Sequence, residues 1–212
     1  MDTTAARLIQ YNIVVVFQQL KFGQVLYELA RDLLPGHPAP LITEVPNQVL
    51  AVVYPDRQLK CQFANRRVDI ADARGSEPGT DPFVQVAMNA IGAARQAGGA
   101  QIPVVAYGYN YDVQLTLRMD SGDFLRSRFF SNPEALGSAF NGTVEAVGIK
   151  VSVKTADCQA NFDIEPILGQ AKSVKAHVNY HFEGKAPPQE AEALAEQVME
   201  KYRHFRQALE RL

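Results

Sequence analysis

Val104–Met119 reads VVAYGYNYDVQLTLRM, and its even spacing decides the fold class. Val105, Tyr107, Tyr109, Tyr111, Val113, Leu115, Leu117 and Met119 are apolar. Ala106, Gly108, Asn110, Asp112, Gln114, Thr116 and Arg118 between them are small or polar. Side chains alternate faces along a strand, so this pattern predicts a long strand with one face on a core and one in water. A strand of that length with one wet face belongs to an antiparallel sheet.

Around it the sequence reads as an α+β protein. Leu8 to Phe17 is a strand whose second half, Ile13-Val14-Val15-Val16-Phe17, is apolar on both sides and is therefore expected in the sheet interior. Phe22, Val25, Leu26, Leu29, Ala30 and Leu33 recur at three and four residues and predict a helix stopped by Pro35-Gly36. Val49–Tyr54, Leu59–Phe63 and Val68–Ile70 read as strands, with a tight turn at Pro55-Asp56-Arg57. The Gly- and Pro-rich segment from Ala71 to Pro82 reads as loop, with Asp81 expected to cap a helix that carries Phe83, Val86, Ala87, Ala90, Ile91 and Ala94 on one side and stops at Gly98-Gly99.

After the long strand, a turn is expected at Asp120-Ser121-Gly122, a short helix over Phe124–Phe130, and another from Asn132-Pro133 to about Phe140. Val147, Ile149, Val151 and Val153 alternate with Gly148, Lys150, Ser152 and Lys154, a half-exposed strand. The phase breaks at Ala156-Asp157-Cys158 and resumes through Ala160, Phe162 and Ile164, which marks a bulge or a hairpin turn. Val174 to Phe182 is a clean strand. Beyond Pro187-Pro188, Ala191, Leu194, Val198, Tyr202, Phe205, Leu209 and Leu212 form one stripe of a long C-terminal helix, with Glu200, Lys201, Arg206 and Glu210 on its solvated side.

Residues 8–97 and 104–212 each read as strand, helix, strands, helix. The expectation is one α+β domain over residues 1–212, with 1–100 and 101–212 as candidate pseudo-repeats. Cys61-Gln62 and Cys158-Gln159 fall in comparable strands. An antiparallel sheet with a long helix laid over one face is the helix-grip arrangement, and doubled it is similar in topology to the saddle of the TATA-box-binding proteins. None of that family's sequence motifs is present, nor the basic underside that DNA contact needs. The resemblance therefore implies an arrangement of elements and no function.

The 212 residues are 47% hydrophobic and 21% charged with a net charge of −2, ordinary for a soluble protein and without the basic excess of a phosphate-backbone binder. Nucleic acid is disfavoured as a partner. The opening MDTTAARLIQ lacks the basic and apolar regions of a signal peptide, and no apolar run approaches the roughly 18 residues of a membrane span, so a cytoplasmic protein is expected. Two isolated cysteines in such a chain are expected reduced and buried. Asn141-Gly142-Thr143 matches a glycosylation sequon but reads better as turn chemistry.

Several groups could carry chemistry. His177 and His181 share one strand face as a metal site or acid/base pair, yet four residues of strand span roughly 13 Å and a zinc ligand must reach about 2 Å. Asp157, Asp163 and Glu165 surround the phase break; carboxylates there could serve acid/base work, bind a divalent cation or simply face solvent. His37 and His204 have no partner motif. Arg66-Arg67 and the Arg126, Arg128, Phe129, Phe130 group mix cations with aromatics but do not make a groove. Tyr107, Tyr109 and Tyr111, with Phe205 of the last helix, are the ligand-binding candidates, and equally read as core aromatics. Tyr202, Phe205, Leu209 and Leu212 are the candidate protein interface.

No GxSxG, P-loop, GxGxxG or HExxH occurs, so no catalytic residue, metal or cofactor is indicated and the balance leans away from an enzyme. An enzyme would need a cleft gathering Asp112, Asp157 or the histidines. The leading expectation is a protein–protein interaction or assembly module that self-associates, because the first strand is apolar on both faces and a long helix must also be buried. The alternative is a carrier or sensor of an apolar small molecule, with a cavity between sheet and helix.

Overall fold

The computed structural model describes residues 3–99, 102–132, 135, 138, 139, 144 and 146–212. In chain order they form β1 (Thr3–Phe17), α1 (Gln24–Ala30), β2 (Leu41–Val45), β3 (Val49–Tyr54), β4 (Leu59–Ala64), β5 (Arg67–Asp72), α2 (Phe83–Gly98), β6 (Val104–Leu117), α3 (Ser121–Phe129), β7 (Ile149–Lys154), β8 (Gln159–Pro166), β9 (Ser173–Glu183) and α4 (Ala191–Arg211). The nine strands make one antiparallel sheet in the order β2-β3-β4-β5-β1-β6-β9-β8-β7. Outward from the central β1–β6 pair the strands run β5, β4, β3, β2 on one side and β9, β8, β7 on the other.

The alternation does what period two requires. Tyr11, Ile13, Val15 and Phe17 of β1 are at most 1% exposed, and they pair or nearly pair with buried Tyr111, Tyr109 and Tyr107 of β6. Over this face lie α2, with Phe83, Val86, Ala87, Ala90 and Ala94 buried, and α4, with Leu194, Val198, Phe205 and Leu209 buried. Each of the buried Val, Leu and Phe side chains among these contributes about 1.5–3 kcal/mol of burial. The opposite face carries Gln10, Asn12, Asn110, Gln114, His177 and Asn179, all partly accessible, together with Asp112. Val14 and Val16 also lie there, half-buried and paired with Gly108 and Ala106.

Local chemistry places four boundaries away from their expected positions. β2 was not anticipated: it is exposed at every residue and so has no buried half to show a period. Asp81 does not cap α2, which starts only at Phe83 with no side-chain cap. At 120–122 there is no free turn. The Asp120 carboxylate accepts from the amides of Gly122 and Asp123 at 2.9 and 3.1 Å, so α3 begins at Ser121 rather than Phe124. α1 ends at Ala30, and Leu33 and Leu34 enter the core from the coil beyond it. The expected helix from Pro133 to Phe140 and the sequon at 141–143 lie outside the described residues.

The loop after β5 is tied down. Asp72, fully buried, accepts from the Arg74 amide at 2.9 Å, from the Arg74 guanidinium, and from the Tyr11 hydroxyl at 3.3 Å. Gly75 and Gly79 have φ of +68° and +78°. A Cβ at either would sit 2.7 Å from the Leu8 carbonyl oxygen or 2.6 Å from that of Ala195, so the loop wedges between β1 and the start of α4. Replacing Asp72→Ala leaves Tyr11 and Arg74 without their acceptor. The expected cost is about 3 kcal/mol, measured as a lower urea midpoint at unchanged m.

Candidate functional site

The tyrosine-bearing strand and the last helix meet as the sequence pairs them, through polar tips on an apolar contact. Tyr109 and Tyr107 hydroxyls donate to Gln197 Oε1 at 2.6 and 3.2 Å, and the Tyr111 hydroxyl donates to the Val198 carbonyl at 2.6 Å. The Tyr107 ring stacks on Phe182 at 4.4 Å, while Tyr111 lies 5.5 Å from Tyr202 and 6.5 Å from Phe205. Burial pushes all three phenols above their ordinary range. Phe205 and Leu209 face the chain's own sheet and are buried; Tyr202 and Leu212 are half-buried against the same core.

The titratable candidates fall in separate groups, one of which, Asp157, Cys158, His181 and Glu183, lines a single groove of about 310 Å³. His177 Nδ1 lies 2.8 Å from Asp112 Oδ1, Gln10 Nε2 donates to Asp112 Oδ2 at 2.7 Å, and Lys175 stands 3.7 Å away. His181 pairs instead with Glu183 at 2.7 Å. Asp163 pairs with Lys150, and Asp157 with Lys201. Arg67 pairs with Asp69, Arg126 with Asp123, and Arg128 donates to the Leu212 carbonyl. His204 bonds the Tyr180 hydroxyl at 2.7 Å. Cys61 is wholly buried, which raises its thiol pKa and keeps it inert, and Cys158 sits beside Thr155. Among the described residues no three His, Cys, Asp or Glu side chains come together as a metal-holding group. No described helix is long and apolar enough to cross a membrane.

Lys201 departs from its expected place on the solvated side of α4. It is 9% exposed, with its ammonium 5.7 Å from the centre of the Phe182 ring and 3.2 Å from Asp157. Burial lowers the pKa of this amine, but hydrogen bonds to Asp157 and Glu200 outweigh it and raise the value overall. A long stem lets lysine occupy an apolar stripe and still reach water or a carboxylate, which helical spacing alone does not distinguish.

An apolar accessible site lies at the β7 end of the sheet. Ile149, Val151 and Val153 of β7 and Phe162 and Ile164 of β8 form the floor, and Phe129, Ala208 and Leu212 form the walls of a groove of about 200 Å³. Val151 and Val153 are 46% and 41% exposed, and β7, expected to be half-covered, is exposed at every residue after Ile149. Among the described residues β7 is also the last strand of the sheet, and its outer backbone groups have no neighbour in the ladder. The alternation of 149–153 is visible in sequence. That α4 leaves it uncovered is not, because helix placement is tertiary. The same holds at the other edge, where Leu41, Ile42 and Val45 of β2 are 63%, 40% and 45% exposed.

No family model and no curated protein sequence matches the chain. Among solved structures, Methanococcus jannaschii TBP is similar with a TM-score of 0.40 at 10% identity, over 94% of this chain and 98% of that one. At that score the likeness carries no argument.

Asp112 makes the polar face pH-sensitive. Burial alone raises its pKa, but hydrogen bonds from His177 and Gln10 and the charges of His177 and Lys175 outweigh it, and the carboxyl ends below its ordinary value. The carboxylate therefore stabilises the fold above the unfolded pKa of about 3.9, and that contribution is lost as pH falls through the lower folded value. Asp112→Asn is expected to cost about 1–2 kcal/mol at pH 7. In urea titrations across pH, the gap between variant and parent should hold down to about pH 5 and narrow below about pH 4.

Proposed function

We propose that the chain is a protein–protein assembly module that self-associates, working in the cytosol, where its two cysteines stay reduced. The observation that carries this reading is the apolar row Ile149, Val151 and Val153 on β7, the edge strand of the sheet among the described residues, with both valines open to solvent and the row continuous with the groove beside Phe129, Phe162 and Leu212. An exposed apolar patch on a sheet edge leaves both hydrophobic surface and backbone hydrogen-bonding groups unmatched, and association satisfies both at once. The same groove lies between sheet and helices and has an almost wholly apolar lining, which supports, as a second reading, carriage of an apolar small molecule. Native mass spectrometry separates the two. Assembly gives integer multiples of 23.4 kDa without added mass. A monomer with extra mass that is lost on denaturation favours the carrier, and a bare monomer at high concentration removes the basis of the first reading.

A further inference from the structure

Face by face, the β7 edge restricts what can pair with it. An added strand must continue the sheet so that apolar residues meet apolar ones, which restricts the register to steps of two. Lys150, Ser152 and Lys154 lie on one face of β7, and Ile149, Val151 and Val153 on the other. With a second copy running antiparallel and Val151 opposite Val151, Ile149 faces Val153 and Lys150 faces Ser152. A shift of two in either direction sets Lys150 against Lys154 or against itself, and like charges directly opposed are unfavourable.

In the Val151-centred register Lys154 of one copy falls opposite Gly148 of the other. Gly148 has no side chain, and a Cβ there would stand 3.6 Å from the Cβ of Glu165 on β8. The lysine therefore reaches across an empty position toward an exposed carboxylate two strands away, about 10 Å in strand spacing. Two-fold symmetry makes this contact twice. Within one copy it cannot form: Lys154 pairs with Gln159, and Glu165 lies six residues further along β8, roughly 20 Å away. β2 offers no comparable match. Pro40 and Pro46 bracket its five residues, and self-pairing about Thr43 sets Ile42 against Glu44.

We infer that the partner at this edge is a second copy of the chain, joined β7 to β7 about Val151, with Lys154 of each copy against Glu165 of the other and the two apolar grooves meeting across the axis. The inference rests on the self-association proposed above. A charge-swap cycle, read by sedimentation over a dilution series, tests it. Lys154→Glu and Glu165→Lys should each raise the dissociation constant about tenfold, since two symmetric pairs are lost together, and the double variant should restore it. Val151→Lys, at a position 46% exposed, should leave a monomer that keeps the parent's circular dichroism. A dimer whose affinity the double variant does not restore overturns this pairing and leaves self-association standing. A parent chain that stays monomeric at every concentration overturns both.

Discussion

The antiparallel pairing of β1 with β6 is the constraint from which the other elements take their places. It runs from Thr3 opposite Leu117 to Phe17 opposite Val104 and joins the two sets of strands at their centre. Because residues opposite one another share a face, the pairing stacks Tyr11 with Tyr111 at 6.3 Å on the covered side and aligns Asn12 with Asn110 on the open side. Every strand added outward inherits that facing. A slip of one residue in this pair would turn the tyrosines to water and the asparagines and Asp112 into the core.

The two faces are finished by different chemistry. The covered side is closed by helix stripes whose fit includes a few polar tips, Tyr107 and Tyr109 on Gln197 and Tyr111 on the α4 backbone, so the helix is fixed in rotation as well as held. The open side is a lattice of amides, carboxylates and imidazoles: Gln10, Asp112 and His177 in one group, Asn110 with Asn179, Asn12 with Asp69. With acids and bases interspersed, this face has no field of one sign to draw a polyanion.

Strands with one buried and one wet face were legible because period two is a local signal: Val104–Leu117 and Ser173–Glu183 show it, and the central position of β1 followed from its doubly apolar run. Elements without that contrast were not. β2 is wet on both sides, and Asp120 looks like a turn residue until its carboxylate is seen on two helix amides. The individual side chains of the candidate site were legible, and their assembly was not. Phe129, Val151 and Phe162 come from three elements and Leu212 from just past α4, and which apolar residues stay uncovered depends on how α4 lies over the sheet. Lys201 shows the same limit in reverse, a charged residue whose stem belongs to the core.

The central pair also bears on how the chain reaches this state. Its partners are about 100 residues apart in sequence, so the ladder that organises the sheet closes late, after a large loop entropy has been overcome. On a ribosome, β1 must wait with its inner edge open until β6 has emerged. During that interval Ile13 to Phe17, the most apolar run of the strand, is available to any other chain that offers an edge. The feature that unifies the folded sheet is thus the one that leaves the nascent chain most dependent on being kept apart from its neighbours.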